Sequence, residues 1–412
     1  MIQIESRTIK RTHEWYDALD ELLFLSKNLY NSTLYAVRQH FFEHGTYLSY
    51  KAVNKRFTHE QQADYVALPR KVSKLVQMLV DKSFKSFFAL LKLKSQGKYE
   101  QPINIPHYLH KTNGRQVLEY TFQALKRGKK GHIGLSGTDI WIKTDMQVKF
   151  VRLVPKNGFI NLEIGYEQDC LPYTEGLVAS LDIGVNNLGA VAIPGQLGYL
   201  INGRPLKSMN QYYNKVLAKE KSYISRFTDG HGKQRRSSNK IQRLHNKRNA
   251  KMKDYMHKAS RELTNHLVTN GVSDLMIGLN SDWKQDVKFR KANKQTFIQL
   301  PFKMFVDMIA YKCALVGIHV ILVDESYTSQ NSFFDEDYIP TFGKDDKRNC
   351  PSGKRIKRGL YRMKNGLHLN ADINGALNIL RKAVQNKQVA KNRVRTQDFV
   401  EAYSMPVVST IK

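Results

Sequence analysis

The sequence predicts an α/β domain built on a mixed sheet, preceded by an α+β part with a small β-barrel and a helical insertion. Three observations predict this. A buried apolar run, Leu177 to Leu181, ends in Asp182, turns at Gly184 and leads into a second apolar run, Ala190 to Ile193. After it, short strand patterns alternate with long helical ones, whereas in the first third of the chain a helical period gives way to a period of two near Gln116. Far downstream, Asn370-Ala371-Asp372-Ile373-Asn374-Gly375-Ala376-Leu377-Asn378 sets another carboxylate where a loop enters a helix.

Taken in order, Ile2, Ile4 and Ile9 amid polar residues read as a strand over 1–10. From Thr12 onward Trp15, Leu19, Leu22, Leu23, Leu29, Tyr30 and Leu34 recur at helical spacing until Gly45. Pro69 opens a second long helix, with Val72, Val76, Phe84 and Phe87 on one side and Lys71, Lys74, Lys82 and Lys85 around it. Gly97, Pro102 and Pro106 close this helical region. Short strands are expected over 117–122, 133–135, 140–142, 148–153 and 159–166, joined by turns containing glycine. They predict a small barrel from 1–10 and 115–175, with 11–114 as a helical insertion.

Pro172 and Gly176 mark the boundary into the α/β domain. Strands are expected at 177–182, 189–194 and 198–202, then helices over 206–227 and 238–269. A strand at 274–278, a helix over 301–316, a strand at 319–324 and a last helix over 371–384 follow. The order β-β-β-α-β-α-β-insertion-α is that of an RNase H-like fold, here formed by 176–329 and 367–388 around an insertion, 330–366. Residues 389–412 carry basic side chains with little apolar pattern, so a mobile basic tail is expected.

Charge points to the partner. The 412 residues hold 66 Lys and Arg against 36 Asp and Glu, a formal net charge of +30. Such an excess opposes folding by self-repulsion, and a polyanion is the simplest reason to keep it. Between 233 and 253 lie Lys233, Arg235, Arg236, Lys240, Arg243, Lys247, Arg248, Lys251 and Lys253, without one Asp or Glu. On a helix, Lys240, Arg243, Lys247 and Lys251 share a side at three- and four-residue spacing, a row suited to tracking phosphates. The insertion adds Arg355, Lys357, Arg358 and Arg362. No apolar run is long enough to span a membrane, and the first residues lack the pattern of a signal peptide. Cys170, Cys313 and Cys350 form no CxxC pair, so reduced thiols of a cytosolic protein are expected.

Two acids presented in this way, in a basic chain, suggest metal-assisted cleavage of nucleic acid. Phosphodiester hydrolysis with two metals uses three or four oxygen ligands around ions about 4 Å apart, and Mg²⁺ favours carboxylates. Asp182 at a strand end and Asp372 at a helix start are candidates. A third acid normally ends the strand that here reads Asp274-Leu275-Met276-Ile277-Gly278, and that position is Gly278. Either the site does not cleave, or the acid has moved to the end of the next strand, Val320-Ile321-Leu322-Val323-Asp324-Glu325. Glu325 is favoured, because Asp324 points the opposite way in a period of two. Asp282 and Asp286 are weaker candidates.

Together these residues resemble the TnpB family of RNA-guided nucleases, related to type V CRISPR effectors and to Fanzor proteins. The resemblance rests on Leu181-Asp182-Ile183-Gly184, on Tyr327-Thr328-Ser329-Gln330 and on Asn370 through Ala376 with Asn378-Ile379. Ile277-Gly278-Leu279-Asn280 with Trp283-Lys284-Gln285 resembles the branch whose catalytic Glu is relocated, as Glu325 is here. The resemblance implies a RuvC-like nuclease domain, a wedge-type barrel and a helical recognition (REC) insertion. It implies two Mg²⁺ ions on Asp182, Glu325 and Asp372, a guide RNA, and cleavage of guide-matched double-stranded DNA beside a short flanking motif. The alternative is a nuclease-deficient RNA-guided repressor of the same descent. A prokaryotic, cytoplasmic, nucleoid-associated protein is expected. The family's zinc ribbon carries two CxxC pairs. Ser332, Asp335, Arg362 and Asn365 stand roughly in their place, so no zinc is expected and 330–366 is a ribbon remnant that touches nucleic acid. Tyr16, Tyr30, Tyr35 and Phe42 are aromatic candidates for stacking on bases, with helix packing the commoner role.

Overall fold

The computed structural model describes residues 1–129, 131–228, 232–279, 298–341, 349–394 and 400–411, which fall into two units, Met1–Asp169 and Cys170–Lys412. Residues 280–297, and with them Asp282, Trp283, Lys284, Gln285 and Asp286, lie outside the described residues.

In the first unit, β1 (Ile2–Lys10) leads into α1 (Tyr16–His44), α2 (Tyr50–His59), α3 (Ala63–Val66) and α4 (Arg70–Ser95). Gly45 ends α1 in the left-handed conformation, φ 66°, and its N–H closes on Phe41 O. Pro69 stands at the N-cap of α4, where its missing N–H costs nothing. Six further strands follow: β2 (Leu118–Thr121), β3 (Leu125–Arg127), β4 (His132–Leu135), β5 (Trp141–Lys143), β6 (Val148–Lys156) and β7 (Phe159–Glu167). β1 pairs antiparallel with β7 along its length, from Ile2 opposite Glu167 to Lys10 opposite Phe159. The four helices therefore enter between two strands of one sheet, of order β1-β7-β6-β2. The expected barrel is not one hydrogen-bonded ring among the described residues. A 3₁₀ turn, Phe122–Ala124, lifts the chain out of that sheet, and β3-β4-β5 form a separate three-stranded sheet. A single apolar cluster joins both sheets to the helices.

The second unit begins with β8 (Leu177–Asp182), β9 (Asn187–Ala192) and β10 (Tyr199–Asn202), followed by α5 (Arg204–Ile224), α6 (Asn239–Thr269), β11 (Val272–Gly278), α7 (Phe302–Leu315) and β12 (His319–Val323). A hairpin-like sheet, β13 (Lys354–Lys357), β14 (Leu360–Arg362) and β15 (His368–Asn370), precedes α8 (Ala371–Gln385), α9 (Val400–Ser404) and β16 (Val407–Ser409). The main sheet has the order β12-β11-β8-β9-β10-β16. β11 runs parallel to β8 and to β12, while β9 and β10 are antiparallel to their inner neighbours.

The period of two sorts the two faces of this sheet. Ala179, Leu181, Leu275 and Ile277 pack with α6 and α7 through Met252, Met256, Phe302 and Phe305. Val178, Met276 and Val323 pack instead with Ile379 and Leu380 of α8. Ser180 also faces α8 and donates to Ala376 O at 2.6 Å. Asp182 follows in the same phase, so the strand delivers its carboxylate beside the start of α8.

The expected mobile tail is corrected by the structure. β16 pairs parallel with β10, Tyr199 opposite Val407. Tyr403 is fully buried, donates to Ile193 O and accepts from Gly195 N–H, both at 3.1 Å. Arg393 reaches Asp274 at 2.6 Å. One buried aromatic, Tyr403, and main-chain pairing along Val407–Ser409 are enough to dock a short segment when an unpaired strand edge is waiting for it.

Candidate active site

Asp182 ends β8 and enters a turn that two glycines make possible. A Cβ on Gly184 would stand 2.9 Å from Asn187 O, and one on Gly203 would stand 2.6 Å from Val185 O. Gly203 N–H donates to Asn186 O at 2.8 Å, which ties the turn to the end of β10. From the other side, a Cβ on Gly375 would lie 2.7 Å from Asp182 Oδ2, so α8 approaches this carboxylate with bare backbone.

Asp372 occupies the first turn of α8. Asn370 caps the helix, accepting from Asp372 N–H and Ile373 N–H. The Asp372 carboxylate is divided between two donors. Asn187 Nδ2 donates to Oδ2 at 2.7 Å, and Arg355 Nη2 of β13 donates to Oδ1 at 2.9 Å.

Glu325 follows β12, in phase with Ile321 and Val323, which pack towards α8. The missing side chain at 278 is the reason it fits. A Cβ on Gly278 would stand 2.5 Å from Ile379 Cδ1 and 3.3 Å from Glu325 Cβ. Asp324 is committed elsewhere: it accepts from the buried Lys382 ammonium at 2.5 Å, and that charge holds its carboxyl low once burial is overcome. The loop after Glu325 is fixed by the asparagines of α8. Asn378 donates to Thr328 O and Asn331 O at 2.8 and 2.7 Å, and Asn374 donates to Asn331 O at 2.8 Å.

The electrostatics link these acids. Burial, then the negative charge of Asp372, push the Asp182 carboxyl up to about 7, against the pull of Arg355 and the Ile183 N–H. Burial, then the charges of Asp182 and Asp324, push Glu325 up to about 8. Asp182 thus feels the charge of Asp372 and Arg355, and Glu325 feels that of Asp182. Among the described residues no group of three or more His, Cys, Asp or Glu side chains is placed to hold a metal ion. Arg355 and Asn187 hold Asp372 instead. The donors themselves are carboxylate oxygens, the ligand type that Mg²⁺ favours.

The basic residues divide. Lys233, Arg235, Arg236 and Lys240 line a cleft of about 1290 Å³ with Tyr223 and Phe227. Lys240, Arg243, Lys247 and Lys251 are exposed along α6, although Lys240 is paired with Glu220 at 2.5 Å. Arg248 departs from the expectation of a phosphate-facing group. It is partly buried, bonds Asn210 Oδ1 and Gln299 O, and lies over the Tyr213 ring, so it joins α5 and α6. Arg358 and Arg362 are exposed on the insertion, while Arg355 is turned to Asp372. In the first unit Tyr30 is buried and Tyr16 partly so, but Tyr35 and Phe42 are 58% and 61% exposed. Sequence reading missed Arg38, which lies over the rings of Phe42 and Tyr108. It also missed Asn187, whose only signal was its place five residues after Asp182.

At the ribbon positions, hydrogen bonds connect the segments. Asp335 Oδ2 accepts from Lys364 N–H at 3.0 Å, and Asp337 Oδ2 accepts from Ser332 N–H at 2.7 Å and Ser352 N–H at 3.1 Å. Tyr361, Met363 and Leu369 form a small core beneath. Asp335→Ala is expected to weaken this insertion by about 1 kcal/mol. Hydrogen exchange at 360–364 is expected to quicken several-fold, and unchanged exchange would show that the carboxylate carries no load there.

The arrangement, a six-stranded mixed sheet of order β12-β11-β8-β9-β10-β16 with helices on both faces, is consistent with an RNase H-like fold. The comparisons narrow the class. Residues 164–284 match a family described as probable transposase (OrfB_IS605), and residues 302–379 match the Cas12f1-like TNB domain. TnpB-like protein ORF457 of Acidianus two-tailed virus is 25% identical over 413 residues, covering 89% of this chain and 83% of that protein. The CRISPR-associated endodeoxyribonuclease Cas12f2 of a Micrarchaeota archaeon is 28% identical over 141 residues, 32% of this chain and 24% of that protein. In fold, the chain is similar to Cas12f1 solved with single-guide RNA and target DNA: TM-score 0.53, 17% identity, covering 89% of this chain and 83% of that one. These matches support the TnpB family for this chain. No helix among the described residues is long and apolar enough to cross a membrane.

Proposed function

We propose that this protein is an RNA-guided DNA endonuclease of the TnpB type, cutting guide-matched double-stranded DNA beside a short flanking motif. The observation that carries the reading is the mutual electrostatic coupling of Asp182 with Asp372 and with Glu325, together with the place of Glu325 beside Gly278, where the usual acid is absent. Asp182, Glu325 and Asp372 would hold two Mg²⁺ ions, which supply Lewis acidity and a water acidified for attack at phosphorus. Asp182, coupled to each of the other two acids, would be the ligand common to the set. The bare backbone at Gly375 and Gly278 lets Asp182 and Glu325 pack closely against their neighbours without a side chain in the way. Lys233, Arg235 and Arg236, with the exposed row on α6, favour a polyanion alongside, and the wedge-type sheet and helices of the first unit would grip guide and target.

The test uses the full chain purified with its co-expressed RNA and a plasmid carrying the RNA-matched target beside a randomised flank. Linearisation in Mg²⁺ that is lost in EDTA supports the reading. Binding of the matched plasmid without any cut would make the protein a nuclease-deficient repressor, and the absence of a discrete bound RNA would end the guided reading.

A further inference from the structure

The turn that carries Asp182 also carries a second functional group. Asn187 begins β9, opposite Asn202 of β10. Its backbone is boxed in, since Gly184 would touch Asn187 O with any side chain and Gly203 packs against the same turn. From this fixed point its amide spans 185 residues of sequence to donate to Asp372 Oδ2 at 2.7 Å. A carboxylate bond of this length is charge-assisted and directional. It leaves Oδ1 facing the guanidinium of Arg355 at 2.9 Å. The two donors differ in kind. The amide is neutral and can stay when a metal ion arrives, whereas the guanidinium is a cation standing on the oxygen that an ion would need. Arg355 belongs to a short insertion strand, and its side chain is 40% exposed. It is the partner free to be exchanged.

We propose that Asn187 is a positioning residue: it fixes one oxygen of Asp372 so that the other is presented for a divalent cation once Arg355 gives way. The inference rests on the reading of Asp372 as a metal ligand. It places a supporting amide on the same turn as the first carboxylate, so one rigid loop aligns both acids. Outer partners of metal ligands commonly set affinity within about ten- to a hundredfold.

The experiment measures Mn²⁺ binding by electron paramagnetic resonance on the full chain with its RNA. Four proteins are compared: unmutated, Asn187→Leu, Asn187→Gln and Asp182→Ala. Asn187→Leu is expected to weaken Mn²⁺ binding about tenfold. It is expected to raise the Mn²⁺ concentration for half-maximal cleavage by the same factor, with little change in rate at saturating metal. Asn187→Gln, which keeps a donor, is expected to recover part of the loss. Should Asn187→Leu fail to fold, Asn187→Ser, which has room but lacks the reach, is read in the same way. Binding by a folded Asn187→Leu or Asn187→Ser protein equal to that of the unmutated chain overturns the proposal. If the unmutated chain shows no Mn²⁺ binding that Asp182→Ala removes, the metal-site reading fails first and takes this proposal with it.

Discussion

Asp182→Ala is expected to lower target cleavage on the order of a thousandfold or more while RNA binding and guide-matched DNA binding stay near normal. Asp182 is coupled to both other acids, so its loss removes a ligand that the metal site would need. Glu325→Gln tests the relocated acid separately. It keeps the shape beside Gly278 and removes the charge, and it is expected to lower cleavage to a similar degree. A gel assay with single-turnover kinetics reads both variants. Full cleavage by Asp182→Ala would move the chemistry elsewhere in the chain. Full cleavage by Glu325→Gln alone would leave Asp182 in place and return the search for a third ligand to residues 280–297.

The second large effect is on stability, and its sign follows from the raised carboxyls. Asp182 and Glu325 titrate near 7 and 8 in the folded metal-free chain, above the ordinary carboxylate range of the unfolded one. Between about pH 4 and pH 8 the folded state therefore holds more protons than the unfolded state, and stability falls as pH rises through that window. Asp182→Asn removes one of these penalties. At pH 8 in EDTA it is expected to be more stable than the unmutated chain by about 2 kcal/mol, or roughly 4–8 °C in a domain of this size. At pH 5 the gap should shrink by more than half, and it should close below about pH 4, where the carboxyl is protonated in the unfolded chain as well. Millimolar Mg²⁺ should raise the melting temperature of the unmutated chain at pH 8 and leave Asp182→Asn almost unmoved. Melting curves with the same gap at both pH values would show that Asp182 is not held short of counter-charge.

Much of the placement of these acids is legible in the sequence alone. Asp182 and Asp372 each sit in a short local pattern, an apolar strand into a glycine turn and a capped helix start, and such patterns fix a side chain's surroundings from neighbouring residues alone. Glu325 was legible as a pair of clues: an empty position at Gly278, and an acid in the right phase on the next strand. What escaped the sequence depends on distant contacts. Arg355 read as one more phosphate-facing cation, since nothing in Lys354-Arg355-Ile356-Lys357 announces that this strand lies against the start of α8. Arg248 stands next to Lys247 in a run of one sign, but a helical step of one residue turns it by about 100° towards Tyr213 and Gln299. The helix Tyr50–His59 buries only Val53 and Phe57, too thin a stripe to stand out from its charged neighbours. Alternation gave the strands of the first unit, but not which of them would bond to which, and so a ring was expected where two sheets form.

The strand Val407–Ser409 has a wider consequence. It covers the free hydrogen-bonding groups of β10, an apolar strand reading Tyr199-Leu200-Ile201. Remove it, and those groups become a template on which other chains can stack. A chain ending before Val400 should therefore clump at concentrations where the intact one stays dispersed, as light scattering would reveal. Anyone trimming this small protein for delivery would do better to cut elsewhere.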